Sequence, residues 1–153
     1  MVVANGNEHD EWGGDITEDA ELTVKMQEKR AKLKLGTIRK NAPPLPKLIG
    51  SEDAKYIVVN WGGSTFHVVE EAIRELGRDD VAQLHFSWLY PLNPEARRFF
   101  EGKTVIVVEN NITGQFADLL EKELGVEVHH RILKYDGRPF SVEEVLEKLR
   151  GGW

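Results

Sequence analysis

Val105-Ile106-Val107-Val108, then Glu109-Asn110-Asn111-Ile112-Thr113-Gly114-Gln115, then Phe116 through Leu124: these twenty residues decide the fold. The first four are apolar without alternation, which suits a short strand buried on both faces. Phe116, Leu119, Leu120 and Leu124 then recur at helical spacing, so the order predicts a helix over Thr113 to Leu124 that ends at Gly125. A two-faced strand followed at once by a one-faced helix is half of a βαβ unit.

The same alternation recurs on both sides. Tyr56-Ile57-Val58-Val59 precedes a stripe of Val68, Val69, Ala72, Ile73 and Leu76 in a helix over Ser64 to Leu76. Ala82 to Trp88 reads as a strand, and Pro94 to Phe100 as a short helix with Pro near its start. His129 to Tyr135 reads as a further strand, with His129 and His130 on opposite faces, one of them expected to be buried. Ser141 and Glu144 form a capping-box signature ahead of Val142, Val145, Leu146 and Leu149. Short connections between such pairs predict an α/β fold in three layers, α/β/α, around a mostly parallel sheet.

Residues 1–50 differ in character and read as a linker segment with one helix and a proline connector; the α/β domain is assigned to residues 51–153. Asn5-Gly6-Asn7 and Gly13-Gly14-Asp15 read as turns. Thr17 can cap a helix that carries Leu22, Met26 and Leu33 on one face and stops at Gly36. Pro43-Pro44-Leu45-Pro46 is a stiff spacer that no helix crosses.

Composition narrows the chemistry. The chain has 153 residues, 41% apolar and 30% charged, with a formal charge of −6 and no cysteine. Disulfides, thiolate zinc sites, cysteine-ligated iron–sulfur clusters and cysteine nucleophiles are therefore excluded. No basic stripe is available for phosphates, so no nucleic acid is expected as a partner. No run approaches the roughly 20 apolar residues of a membrane span, and Met1 to Glu8 has no signal-peptide pattern, so no membrane partner and a cytoplasmic location are expected.

Three polar clusters fall where strands end, the place ligands occupy in open parallel sheets. Asn60-Trp61-Gly62-Gly63-Ser64-Thr65 is a Gly-rich turn entering a helix. It is either a tight turn capped by Ser64 or a set of backbone N–H groups for an anion. Glu109, Asn110, Asn111, Gly114 and Gln115 form a hydrogen-bonding cluster, read either as self-capping of the turn or as a recognition surface. Asp136-Gly137-Arg138-Pro139-Phe140 is a turn that leaves Arg138 available for an interface. Apart from these, Glu8, His9, Asp10 and Glu11 are four titratable groups in a row, without the spacing of a metal motif. No nucleophile elbow or Ser–His–Asp motif is present, and no catalytic, cofactor-binding or metal-binding residue is assigned.

In order along the chain, several stretches resemble the alpha subunits of 2-oxoacid:ferredoxin oxidoreductases. They are Asn7-Glu8-His9-Asp10-Glu11 with a nearby Gly, Thr17-Glu18-Asp19, then Met26 and Lys29-Arg30-Ala31-Lys32. They continue with Val58 to Ser64, His85 to Pro94, Val107 to Gln115, and Tyr135 to Phe140. The resemblance runs from about residue 3 to residue 149. It implies the fold of a transketolase C-terminal-like domain. It also implies a structural and assembly role in a complex that oxidatively decarboxylates 2-oxoacids with coenzyme A and reduces ferredoxin. That complex would use thiamine diphosphate, magnesium and iron–sulfur clusters, none of them held by this chain. The implied partners are a pyrimidine-type domain of the alpha subunit and a thiamine-binding beta subunit, with a homodimer of this chain as a further possibility. The pyrimidine-type domain is missing ahead of Met1, which implies a fragment, a truncated product or a separately encoded domain. The alternative is a free-standing α/β domain that binds a small anionic ligand at Gly62-Gly63.

Overall fold

A computed structural model describes residues 7–12 and 16–152. The turns expected at residues 5–6 and 13–15 lie outside the described residues. The chain divides into two compact units, Met1–Pro43 and Pro44–Trp153, and the division falls inside the proline run.

In the first unit, α1 (Ala20–Glu28) continues through a π-helical segment (Lys29–Lys34) into α2 (Leu35–Lys40). Asp19, not Thr17, is the N-cap: its carboxylate accepts from the Leu22 N–H at 2.7 Å, while Thr17 Oγ1 accepts from the Asp19 N–H at 3.2 Å. Gly36 does not stop the helix, which runs on to Asn41 and turns at Ala42, a residue at φ 48°. The π segment also alters the expected stripe. It inserts residues at a looser helical period, so Met26 stays buried while Leu33, beyond the start of the segment, is 68% exposed.

The second unit is a five-stranded sheet of order β1-β3-β2-β4-β5. Its strands are β1 (Lys47–Ile49), β2 (Tyr56–Trp61), β3 (Val81–Phe86), β4 (Thr104–Glu109) and β5 (His130–Leu133). Neighbours β3/β2, β2/β4 and β4/β5 are parallel, and β1 pairs antiparallel with β3, Lys47 opposite His85. β1 was not foreseen, because its three residues follow directly on the prolines and carry one charge. Through it Lys47 to Ile49, placed in the linker by sequence, take part in the sheet.

Successive residues point to opposite faces, and both faces are covered. Ile57, Val59, Ala82, Leu84, Val105 and Val107 pack with Phe100 of a 3-10 helix (Pro94–Phe100) and with Phe116, Leu120 and Leu124 of α4 (Gln115–Leu124). Val58, Val81, Ile106 and Val108 pack on the other side with Val69 and Ala72 of α3 (Gly63–Leu76) and Val145, Leu146 and Leu149 of α5 (Val142–Arg150). The three-layer α/β/α architecture is as read from the sequence. Full burial of each Val, Leu, Ile or Phe contributes about 1.5–3 kcal/mol, which is why Ile57 to Val59 and Val105 to Val108 are apolar on both faces; Asn60, Gln83 and Glu109 are the buried polar exceptions in the central strands.

The predicted capping box is present in full. The Glu144 N–H donates to Ser141 Oγ at 3.2 Å and the Ser141 N–H donates to Glu144 Oε2 at 2.8 Å. One expectation fails: His129 and His130 are both exposed. His129 lies just before edge strand β5, where its Nδ1 accepts from the Val105 N–H at 3.1 Å instead of entering the core.

Candidate functional site

The strand order reverses beside β2. The connection after β2 leads through α3 to β3 on one side, and the connection after β4 leads through α4 to β5 on the other. The turns after β2 and β4 therefore diverge to opposite faces, and the crevice between them is where an open α/β sheet offers a binding site. The Gly62 turn, the Glu109–Gln115 turn and the Arg138 loop all end there, as the sequence suggested.

At the Glu109–Gln115 turn the side chains of Glu109 and Asn111 are spent on the fold. Glu109 is 1% exposed. Its Oε2 accepts from the Phe116 N–H at 2.9 Å and from Asn111 Nδ2 at 2.6 Å, and its Oε1 accepts from the Ala117 N–H at 3.1 Å. A buried carboxylate thus takes up free N–H groups of the first turn of α4, where the helix dipole favours an anion. Asn111 Oδ1 accepts from the N–H groups of Thr113 (3.2 Å), Gly114 (2.6 Å) and Gln115 (3.2 Å). With Thr113 and Gly114 in that turn, α4 begins at Gln115 and not at Thr113. Gly114 is required by geometry. Its φ is 71°, and a Cβ there would lie 2.9 Å from Arg131 Nη1 and 3.2 Å from Arg131 Cδ.

Arg131 was not singled out by sequence reading. From β5 it donates to Asp118 Oδ1 at 2.6 Å and to Glu121 Oε2 at 2.8 Å, both on α4. Hydrogen bonding to Asp118 raises its pKa above the usual arginine value, and Glu109 adds to the favourable charge around it. Asp118 and Glu121, one helical turn apart and pointing at a strand, were the available signal.

The turn after β2 is built differently from the expectation. α3 starts at Gly63 with Gly62 as N-cap, and no side chain caps it. Ser64 is therefore not the cap. Thr65 Oγ1 donates to the Trp61 carbonyl at 2.7 Å and accepts from Asn60 Nδ2 at 3.1 Å, and Gln83 Nε2 donates to Asn60 Oδ1 at 3.0 Å and to the Phe66 carbonyl at 2.9 Å. Asn60, Thr65 and Gln83 are all buried. This network ties β2, β3 and the first turn of α3 together. Further along β3, His85 stands edge-on to the Phe66 ring at 4.6 Å between centroids. Burial, with the charge of Lys47 across the β1–β3 ladder, holds its pKa below the usual histidine value.

Arg138 is exposed and closes on its own loop, its Nε donating to Asp136 Oδ2 at 2.9 Å. That bond raises the Arg138 pKa and lowers that of Asp136. Beside it a shallow cavity of about 450 Å3 is lined by Ser64, Asn110, Lys134, Tyr135 and Arg138. Lys134 Nζ donates to both carboxylate oxygens of Glu144 at 2.6 Å each.

Glu8, His9, Asp10 and Glu11 lie in the first unit, and their described contacts are internal. Glu8 pairs with Arg30 and Glu11 with Lys25, fastening the segment to the helix, and His9 bridges Ile16. The hydrogen bond from Arg30 lowers the Glu8 pKa. Among the described residues no group of three or more His, Asp or Glu side chains is placed to hold a metal ion, and the sequence has no cysteine. Among the described residues, no helix is long and apolar enough to cross a membrane.

Fold and site together define an α/β/α domain in which Glu109 and Asn111, at the end of β4, brace α4 and its preceding turn. No family model matches the chain. Individual relatives do. The 2-oxoacid:ferredoxin oxidoreductase subunit alpha of Saccharolobus solfataricus is 36% identical over 97% of this chain, which spans 24% of that subunit. The 2-oxoacid:ferredoxin oxidoreductase 1, subunit alpha, of Aeropyrum pernix is 35% identical over 93% of the chain, spanning 23% of its length. A solved 2-oxoglutarate:ferredoxin oxidoreductase from Magnetococcus marinus shares the fold, with TM-score 0.68 and 22% identity over 99% of this chain and 26% of that one. The chain belongs to the 2-oxoacid:ferredoxin oxidoreductase alpha-subunit family and spans about a quarter of the length of the curated relatives it matches.

Proposed function

We propose that this chain is the structural and assembly domain of a 2-oxoacid:ferredoxin oxidoreductase alpha subunit, with no turnover of its own. The observation that carries this reading is the use made of Glu109 and Asn111. The carboxylate of Glu109 and the amide oxygen of Asn111 are taken up by N–H groups of α4 and its preceding turn. A catalytic carboxylate needs a free oxygen toward substrate; this one is turned inward. In a complete enzyme the thiamine diphosphate, magnesium, iron–sulfur clusters and coenzyme A would be held by other domains and subunits. A pyrimidine-type domain and a thiamine-binding beta subunit are the proposed partners, in the cytoplasm. The candidate contact residues remain Asn110, Gln115 and Arg138 at the sheet edge, and Glu8 to Glu11 in the first unit.

Two measurements test this reading. Calorimetry of the purified chain with thiamine diphosphate and magnesium should give no binding heat, and an anaerobic viologen assay with 2-oxoacids and coenzyme A should give no reduction. Co-expression with a thiamine-binding beta subunit and the remainder of an alpha subunit should yield a complex that retains this chain. Turnover by the chain alone would refute the proposal, as would failure of any such complex to form.

A further inference from the structure

The edge strand β1 is held by a short ladder. Its three residues, Lys47, Leu48 and Ile49, pair antiparallel with His85, Leu84 and Gln83 of β3. On one face Leu48 packs, partly buried, against the core that contains Ile57 and Leu84. The proline run stands before the strand. After it Gly50, at φ 110°, carries the chain so close to β3 that a Cβ there would lie 3.0 Å from the Ala82 Cβ. A ladder this short is sensitive to any repulsion across it, and like charges placed directly opposite weaken a strand pair.

On the other face, beneath α3, Lys47 stands opposite His85. Both side chains meet the same ring: Lys47 Nζ lies 5.1 Å from the Phe66 centroid, and the His85 ring centroid lies 4.6 Å from it. His85 Nδ1 is buried and has no hydrogen-bond partner among the described residues. The other neighbours do not compensate a positive charge. Asn60 of β2 is in register with His85, and Gln83 precedes it on the same face of β3. From α3 come Phe66 and, edge-on to that ring, His67, which takes up the carboxylate of Glu70. A protonated imidazole donates from both nitrogens. Protonation of His85 therefore sets a second positive charge opposite Lys47 and a buried N–H where no acceptor waits. Burial and Lys47 already hold the His85 pKa below the usual histidine value.

We propose that Lys47 and His85 form a pH-sensitive clasp, in which protonation of His85 releases β1 from β3. The linker between α2 and the sheet then runs over residues 41–55 instead of residues 41–46. The inference stands apart from the oxidoreductase reading, which neither requires nor forbids it. Its size follows from linkage. A histidine that stays neutral in the pair and regains an ordinary pKa of about 6.5 on release favours release by about tenfold per pH unit below that value. Above about pH 6.5 the clasp is whole. Amide exchange of the whole chain, read as protection relative to the intrinsic rate at each pH, is the test. Between about pH 7.5 and pH 5.5 the protection of Lys47 to Ile49 should fall by about tenfold, while that of Ile106 to Val108 should change less than about twofold. His85→Leu should make the protection of β1 independent of pH, and Lys47→Met should shrink the fall. His67→Gln, at the other histidine on the Phe66 ring, should leave the fall as in wild type. Unchanged protection of β1 in the wild type overturns the proposal. So does a fall that persists in His85→Leu, that Lys47→Met leaves whole, that His67→Gln abolishes, or that Ile106 to Val108 share.

Discussion

Replacing Glu109 by glutamine keeps the size of the side chain and removes one of its two acceptors. Phe116 N–H and Asn111 Nδ2 both aim at Oε2, and Ala117 N–H aims at Oε1. The cheaper placement of the amide puts its oxygen toward the first pair and its NH2 group against Ala117 N–H, a donor facing a donor. A buried N–H left without a partner costs about 1–3 kcal/mol. Loss of the negative charge at the start of α4 costs up to about 1–2 kcal/mol more. Glu109→Gln should therefore destabilise the domain by roughly 2–4 kcal/mol, a large share of the 5–15 kcal/mol that holds ordinary domains together. Urea unfolding followed by tryptophan fluorescence measures this directly, with Glu101→Gln at an exposed position as the control, expected within about 0.5 kcal/mol of wild type. If Glu109→Gln were as mild as the control, the carboxylate would not be bracing α4. The argument that it is unavailable for chemistry would then fall.

Further expectations follow from neighbouring geometry. Gly114→Ala should cost at least about 1–2 kcal/mol from the left-handed backbone alone. It should also displace the Arg131 guanidinium, so Arg131→Ala combined with it should be less than additive in the same urea assay. His85 has a lowered pKa, so the unfolded chain binds its proton first as pH falls. Stability from this group is whole above about pH 6.5 and declines below it. His85→Leu should flatten the dependence of the melting temperature between about pH 7.5 and pH 5. Glu144 has a pKa lowered first by Lys134 and then by the Ser141 N–H. Its contribution is present above the ordinary carboxyl range and lost as pH falls through its lowered pKa, so Glu144→Gln should lower the neutral-pH melting temperature and weaken the acid limb of the stability curve. In amide exchange, α1 should exchange before β4, because its apolar face is narrow and helices of this length are marginal alone.

Much of the architecture was legible because burial on two faces leaves a strong mark. Val105 to Val108 and Tyr56 to Val59 have no polar alternation, and in a soluble chain only a covered sheet explains that. Capping chemistry was equally legible at Ser141 and Glu144, where both bonds are local. What escaped depends on partners far away in sequence. β1 exists because His85, Leu84 and Gln83 offer a ladder to Lys47, Leu48 and Ile49, and nothing in Lys47 to Ile49 announces that edge. Likewise the site was half-read. Glu109 and Asn111 stood out as a cluster, but their use became clear only when both were seen turned toward α4. Gln83 and Arg131 looked like ordinary strand polar residues until β2 and α4 were placed against them.

That inward turn has a consequence for how such an edge can work. A catalytic edge keeps polar groups unsatisfied and pays for them in stability, as strained and unpaired groups at active sites do. Here Glu109 and Asn111 are engaged with α4, Asn60 and Thr65 with each other, and Arg138 with Asp136, while Gln83 Oε1 and His85 Nδ1 on β3 are buried without a hydrogen-bond partner among the described residues. What the edge leaves toward solvent is shape and apolar area, in Trp61, Trp88, Tyr90, Ile112 and Tyr135. Apolar area drives association with little orientation by electrostatics. An edge so constituted is suited to holding subunits together. Substitutions that add charge there should alter assembly before they alter the stability of the domain, whereas substitutions at Glu109 should do the reverse.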